Sequence, residues 1–144
     1  MEKTWILIAN GERARCFERH ASDHSLTELT DFVFPRTRLT GEDNKGHGRT
    51  GHAGTQFEPH TEAQDKARAD FADGLANYLN DAVAAQRCNS LVLIANSPML
   101  GTIKPLLSLA ASKALQHSVA SDLTQFSGLE LKKSIDHALA QPSR

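Results

Sequence analysis

Trp5-Ile6-Leu7-Ile8-Ala9 runs straight into Asn10-Gly11, and Arg13-Ala14-Arg15-Cys16-Phe17-Glu18 follows. A short apolar run without a single charge predicts a central strand buried on both faces. Asn10-Gly11 is a tight-turn dipeptide, because both residues tolerate positive φ. The segment after it is then the return strand. Its alternation sets Ala14 and Cys16 on one face and Arg13, Arg15 and Phe17 on the other. His20 to Ser25 is polar and predicts a loop. Leu26 to Phe34, rich in Thr, Val and Phe, predicts a third strand, and Pro35 stops it. The first third of the chain is therefore expected to be an antiparallel meander.

Working outward, Thr61-Glu62-Ala63-Gln64 has the form of a capping box, with Thr61 as cap. Behind it Ala63, Ala67, Phe71, Leu75, Tyr78, Leu79, Ala82 and Ala85 recur at spacings of three and four, the stripe of a long amphipathic helix. Glu62 and Lys66 are spaced to pair on its outer face. Leu91-Val92-Leu93-Ile94-Ala95 is a second doubly buried strand, ended by Asn96-Ser97-Pro98. Thr102 to about Gln116 predicts another helix, with Pro105 tolerated in its first turn if Thr102 is the cap. Gly101 is expected to serve a turn ahead of it. Ser118 to Leu123 is a strand candidate. Ser127-Gly128-Leu129-Glu130 is a second capping box, opening a last helix with Leu131, Ile135, Ala138 and Leu139 inward. The order is β-β-β-α-β-α-β-α. Two apolar strands separated by a helix imply a right-handed crossover and parallel pairing. The expected fold class is α/β: a ribonuclease-H-like mixed five-stranded sheet with the first and fourth strands central and helices on both faces.

The chain has 144 residues, enough for one domain with its own core. Its 16 Lys and Arg balance 17 Asp and Glu to a formal charge of -1. That near-balance argues against binding nucleic acid by bulk charge alone and leaves a local basic patch open. No apolar run is long enough to cross a membrane, and the N-terminus lacks a signal-peptide pattern. Cys16 and Cys88 form no CxxC pair, so reduced thiols and a cytoplasmic location are expected.

Residues 35–60 hold five of the 9 glycines, with Arg36, Arg38, Lys45 and Arg49, Glu42, Asp43 and Glu58, and His47, His52 and His60. A long loop of this kind within one domain is usually functional. Its glycines let backbone approach a ligand closely, and its basic residues could meet phosphate. The competing reading is a solvated loop without chemistry. Phe57 alone could stack on a base.

Other chemistry finds little support. Two-metal nuclease action needs several converging carboxylates. Here the first and fourth strands contain no Asp or Glu and end in Asn10 and Asn96. The loop histidines lack companion cysteines and zinc-site spacing. His117 and His137 are expected near helix ends in structural or surface roles. Cys16 and Cys88 fit small buried hydrophobes. Neither a nucleophile elbow nor a Walker loop occurs. No metal and no small-molecule cofactor is expected.

The run Thr4-Trp5-Ile6-Leu7-Ile8-Ala9-Asn10-Gly11-Glu12-Arg13-Ala14-Arg15-Cys16-Phe17 resembles the opening of the bacterial host attachment protein family, proteins required for attachment to host cells. The resemblance continues through the Gly-rich loop, Phe71-Ala72, Leu91 to Ala95, Leu100-Gly101 and Ser121-Asp122-Leu123-Thr124. That family is considered similar to the middle domain of archaeal and eukaryotic peptide-chain release factors. There a Gly-Gly-Gln tripeptide before the first long helix positions water at the ester of peptidyl-tRNA. The matching loop here holds Gly54-Thr55-Gln56, with Thr55 in place of the middle glycine.

The resemblance implies a non-catalytic or vestigially hydrolytic module that binds ribosome or structured RNA. The expected binding residues are Arg13, Arg15, Arg36, Arg38, Lys45, Arg49, Gly54, Thr55 and Gln56. One alternative is a protein-interaction module in bacterial attachment or signalling. Another is peptidyl-tRNA ester hydrolysis, for which Gln56 is the catalytic candidate.

Overall fold

The structure is a computed structural model that describes residues 3–33 and 57–143, with side chains in the second stretch from Asp65 onward. Three strands open it: β1 (Thr4–Ala9), β2 (Arg13–Arg19) and β3 (Leu26–Val33). Helix α1 (Phe57–Ala84) leads to β4 (Ser90–Ala95). Helix α2 (Ser97–Ile103), a 3-10 turn (Lys104–Leu106) and helix α3 (Leu109–Ala114) precede β5 (Leu115–Ala120), and α4 (Gly128–Leu139) closes the chain. The sheet order is β3-β2-β1-β4-β5. The β1–β2 and β2–β3 pairs are antiparallel, and β1–β4 and β4–β5 are parallel. This is the mixed five-stranded sheet the element order predicts, with β1 and β4 buried along nearly their whole length.

Strand alternation sorts the core into two layers. Trp5, Leu7 and Ala9 join Leu91, Leu93 and Ala95 against α1, α2 and α3. Ile6, Ile8 and Phe17 join Val92, Ile94 and Val119 against Leu131, Ile135 and Ala138 of α4. Tyr78 of α1 stacks on Trp5 with ring centroids 5.6 Å apart and meets Phe32 edge-on at 5.1 Å. One aromatic side chain thus fastens the long helix to both β1 and the outer strand β3. Ala72 and Ala76 are as buried as Leu75 and Leu79, so the inward stripe of α1 includes small residues that let helix and sheet approach closely. Ala85, expected on that stripe, lies exposed beyond the helix end.

Several local expectations shift. Helix α1 begins at Phe57, so Thr61 is an interior residue and not its cap. Pro59 falls in the first turn, where no intrahelical N–H is required, so it permits the earlier start. Lys66 pairs with Asp70 at 3.5 Å; Glu62 lies outside the described side chains.

The single helix expected from Thr102 to Gln116 is instead two. Asn96 caps α2 by accepting from Met99 N at 3.1 Å, and Ser108 caps α3 by accepting from Ala111 N at 3.1 Å. Between them Pro105 sits in the 3-10 turn, its missing N–H breaking the helix that Thr102 was expected to cap. Gly101 lies inside α2, not in a turn ahead of a helix.

The last strand occupies Leu115–Ala120, earlier than Ser118 to Leu123, because Leu115 pairs with Leu91. His117 is therefore a strand residue. Ser127 stands at the N-cap of α4, but its side chain makes no capping bond.

Candidate functional site

In an open α/β sheet, ligands usually meet the carboxyl ends of the parallel strands. Here those ends are Asn10 after β1, Asn96 after β4 and Ser121-Asp122 after β5. Backbone bonds draw them into one ledge: Asn96 N donates to Ala9 O at 3.3 Å and Ser121 N to Ala95 O at 2.9 Å.

Asn10 organises the ledge. Its Oδ1 accepts from Glu12 N at 2.8 Å and Arg13 N at 2.9 Å, an Asx turn that closes the β1–β2 hairpin. Its Nδ2 donates to Asp122 Oδ2 at 2.9 Å and Thr124 Oγ1 at 3.0 Å. Asp122 Oδ1 accepts from Thr124 N at 3.0 Å and from the Thr124 hydroxyl at 2.7 Å. Burial pushes the Asp122 carboxyl up. The bonds from the Asn10 amide and from Thr124 outweigh it and leave the group below its ordinary value.

Both oxygens of Asp122 are thus engaged in protein hydrogen bonds. A lone carboxylate committed in this way does not make a two-metal centre. Among the described residues no group of three or more His, Cys, Asp and Glu is placed to hold a metal ion.

Arg15 reaches the same segment from β2. It is 8% exposed. Its Nη1 donates to Phe126 O at 2.7 Å and Thr124 O at 3.3 Å, while Nε and Nη2 take the Glu28 carboxylate at 3.1 and 3.2 Å. The guanidinium also lies 5.0 Å above the Phe17 ring. Arg15, expected from the sequence to meet phosphate, is buried here and clamps the loop between β5 and α4. Alternation alone could not separate these roles, because the face it shares with Phe17 is covered by α4 and its approach loop.

Arg13 is different. It pairs with Asp31 at 3.0 Å, and both side chains stay largely exposed. Arg36, Arg38, Lys45, Arg49, Gly54, Thr55 and Gln56 lie outside the described residues, as do His47 and His52; His60, expected in the loop, is a residue of helix α1 whose side chain lies outside the described ones. Cys16 and Cys88 are free and buried. Burial raises both thiols, Cys16 to about 12 and Cys88 to about 11. Asp122 and Thr124 are the residues that sequence reasoning did not single out as site residues. Their only signal was the Ser121-Asp122-Leu123-Thr124 run.

The family model described as "Protein required for attachment to host cells" matches residues 5–135. The chain belongs to this host-attachment family. The match takes in the whole Asn10–Arg15–Asp122 ledge, so the clamp lies within the family's own span. No curated protein matches the chain. Among solved structures, the host-attachment chain is similar to an archaeal translation termination factor. The TM-score is 0.55 at 9% identity, over 96% of this chain and 39% of that one. It therefore spans about two fifths of the termination factor's length, and the likeness is one of fold. A Ppx/GppA phosphatase from Aquifex aeolicus also matches, with TM-score 0.43 and 9% identity, over 83% of this chain and 36% of that one. No helix among the described residues is long and apolar enough to cross a membrane.

Proposed function

We propose that this host-attachment-family protein is a non-catalytic binding module for ribosome or structured RNA. Its binding residues would be Arg36, Arg38, Lys45, Arg49 and Gly54-Thr55-Gln56, with Arg13 beside them. The observation that carries the reading is the shared fold with a translation termination factor across 96% of the chain. Two features support it. The ledge at the carboxyl ends of β1, β4 and β5 is closed by amide, hydroxyl and a fully bonded carboxylate, which favours binding over hydrolysis. The segment between β3 and α1 carries four basic residues in a glycine-rich setting, suited to pairing with phosphates along a backbone.

Co-sedimentation with ribosomes over a salt series tests the reading. Association should weaken steeply as salt rises, because neutralising phosphates releases counterions. Replacing Arg36, Arg38, Lys45 and Arg49 by Gln should flatten that salt slope, by about one unit for each phosphate no longer neutralised. No association at low salt would overturn the proposal.

The family's description favours a second reading, a protein-interaction module acting in attachment. It predicts that a defined protein co-purifies and survives ribonuclease treatment. Ester hydrolysis of peptidyl-tRNA is the third reading, and it requires activity that Gln56→Ala abolishes.

A further inference from the structure

The opposite end of the sheet carries a second concave surface. It is an open cavity of about 480 Å³ between the β2–β3 turn, the start of β1, β5 and the end of α4. That volume lies in the ordinary range for a small-molecule site. Arg19, His20, His24 and His117 line it, over a floor that includes Thr4 and Val92. No Asp or Glu is among its lining residues. In a chain with net charge -1, a concavity with one guanidinium, three imidazoles and no lining carboxylate is a local departure that suits an anion.

The sheet register explains the convergence. Arg19 stands opposite Thr4, Thr4 opposite Ser90, and Val92 opposite His117. Strand alternation puts these side chains on the α4 face in two adjacent rows, Arg19-Thr4-Ser90 and Val92-His117. The rings are held. His117 Nε2 lies 2.8 Å from Gln141 O, and His20 Nε2 lies 2.7 Å from Thr27 Oγ1. His24 is placed by a turn in which its own N–H donates to His20 O at 2.8 Å, at a φ of 60°.

Two buried polar atoms in the same row lack a partner among the described residues: Arg19 Nε and Ser90 Oγ. Buried groups of this kind are normally satisfied, and of the two Arg19 lines the cavity, so its orphan N–H asks for a reason. Arg19 gives only Nη2 to Asp136, at 3.1 Å, which leaves other guanidinium N–H groups uncommitted. Two carboxylates neighbour the cavity's cations, Asp136 beside Arg19 and Asp23 beside His20. Asp136 is shared between Arg19 and Lys132, and Asp23 accepts from Ser25 N in the hairpin turn.

We infer that this cavity is a binding site for a phosphate monoester, with Arg19 as the fixed cation and His20 and His24 as donors beside it, while His117, its Nε2–H given to Gln141 O, forms the wall. A monoester fits because it presents three acceptor oxygens to a planar fork and to the imidazole N–H groups of His20 and His24. Among the described residues no group of three or more His, Cys, Asp and Glu is placed to hold a metal ion, so the cavity is read as an anion site.

The test is a titration of the full chain followed by backbone amide and imidazole NMR signals. Inorganic phosphate and glycerol 3-phosphate are the soluble probes, with chloride at matched ionic strength as control. Phosphatidylcholine vesicles, with and without phosphatidic acid, present the same group on a lipid. Saturable shifts confined to Thr4, His20, His24 and His117 are expected with a soluble ester. Flotation only with phosphatidic acid vesicles would place the same chemistry on a lipid. His20→Asn combined with His24→Asn should weaken binding at least tenfold while leaving the melting temperature in place. Arg19→Gln should do the same, and the double variant keeps the test decisive if Arg19→Gln fails to fold. No saturable response to any phosphate probe, or unchanged binding in the folded variants, overturns the inference.

Discussion

The Asn10 side-chain amide donates to the Asp122 carboxylate at 2.9 Å across 112 residues of sequence. The same side chain closes the β1–β2 turn through its carbonyl oxygen. One residue thus ties the first hairpin to the segment that launches the last helix. The family match contains both ends of that tie.

Asn10→Ala removes the turn acceptor and leaves Asp122 and Thr124 without their amide donor. A loss of about 1–3 kcal/mol is expected. Urea unfolding should show a lower midpoint with an unchanged slope, since the surface exposed on unfolding stays the same.

Arg15 and Arg13 differ by one alternation and should differ widely in effect. Arg15→Met leaves Thr124 O and Phe126 O without their side-chain donor and strips the partner from Glu28, at a cost of about 2–3 kcal/mol. Arg15→Lys should not restore it, because a single ammonium cannot serve the carboxylate and two carbonyls together. Arg13→Ala breaks only an exposed pair and should cost under about 1 kcal/mol. Thermal melts of the three variants check the ranking.

Asp122 is held below its ordinary value of 3.8. A depressed folded-state pKa contributes stability that is present above the unfolded value and lost as pH falls through the folded one. The stability gap between the wild type and Asp122→Asn should therefore be full near neutrality and shrink below pH 3.8. Denaturant midpoints across that range read it directly. A gap that held constant would show that the charge of Asp122 adds nothing.

Cys16 and Cys88 are buried with thiols raised to about 12 and about 11. At neutral pH neither carries meaningful thiolate, so a chromogenic disulfide reagent should react with neither in the native protein. Both should react at once in denaturant. Fast labelling of native Cys88 would show that the end of α1 opens locally.

Two uninterrupted apolar runs, Trp5–Ala9 and Leu91–Ala95, were enough to predict β1 and β4 at the centre of the sheet. A strand covered on both faces can bear no charge anywhere along its length, and that constraint is written residue by residue. The meander and the inward stripe of α4 were legible for the same local reason. The boundaries that moved depend on competition between neighbours. Pro105 split a helix whose apolar spacing ran on, and pairing with β4 drew Leu115 into a strand.

The role of Arg15 was decided only by tertiary structure. Arg13 and Arg15 look alike in sequence, yet α4 and its approach loop cover one and leave the other in water. The ledge of Asn10, Asp122 and Thr124 and the neighbouring rows Arg19-Thr4-Ser90 and Val92-His117 are likewise products of tertiary pairing. Chain composition and periodicity record which face a side chain takes. They do not record which distant residue stands across from it, because that is set when strands far apart in the chain pair and the helices close over them.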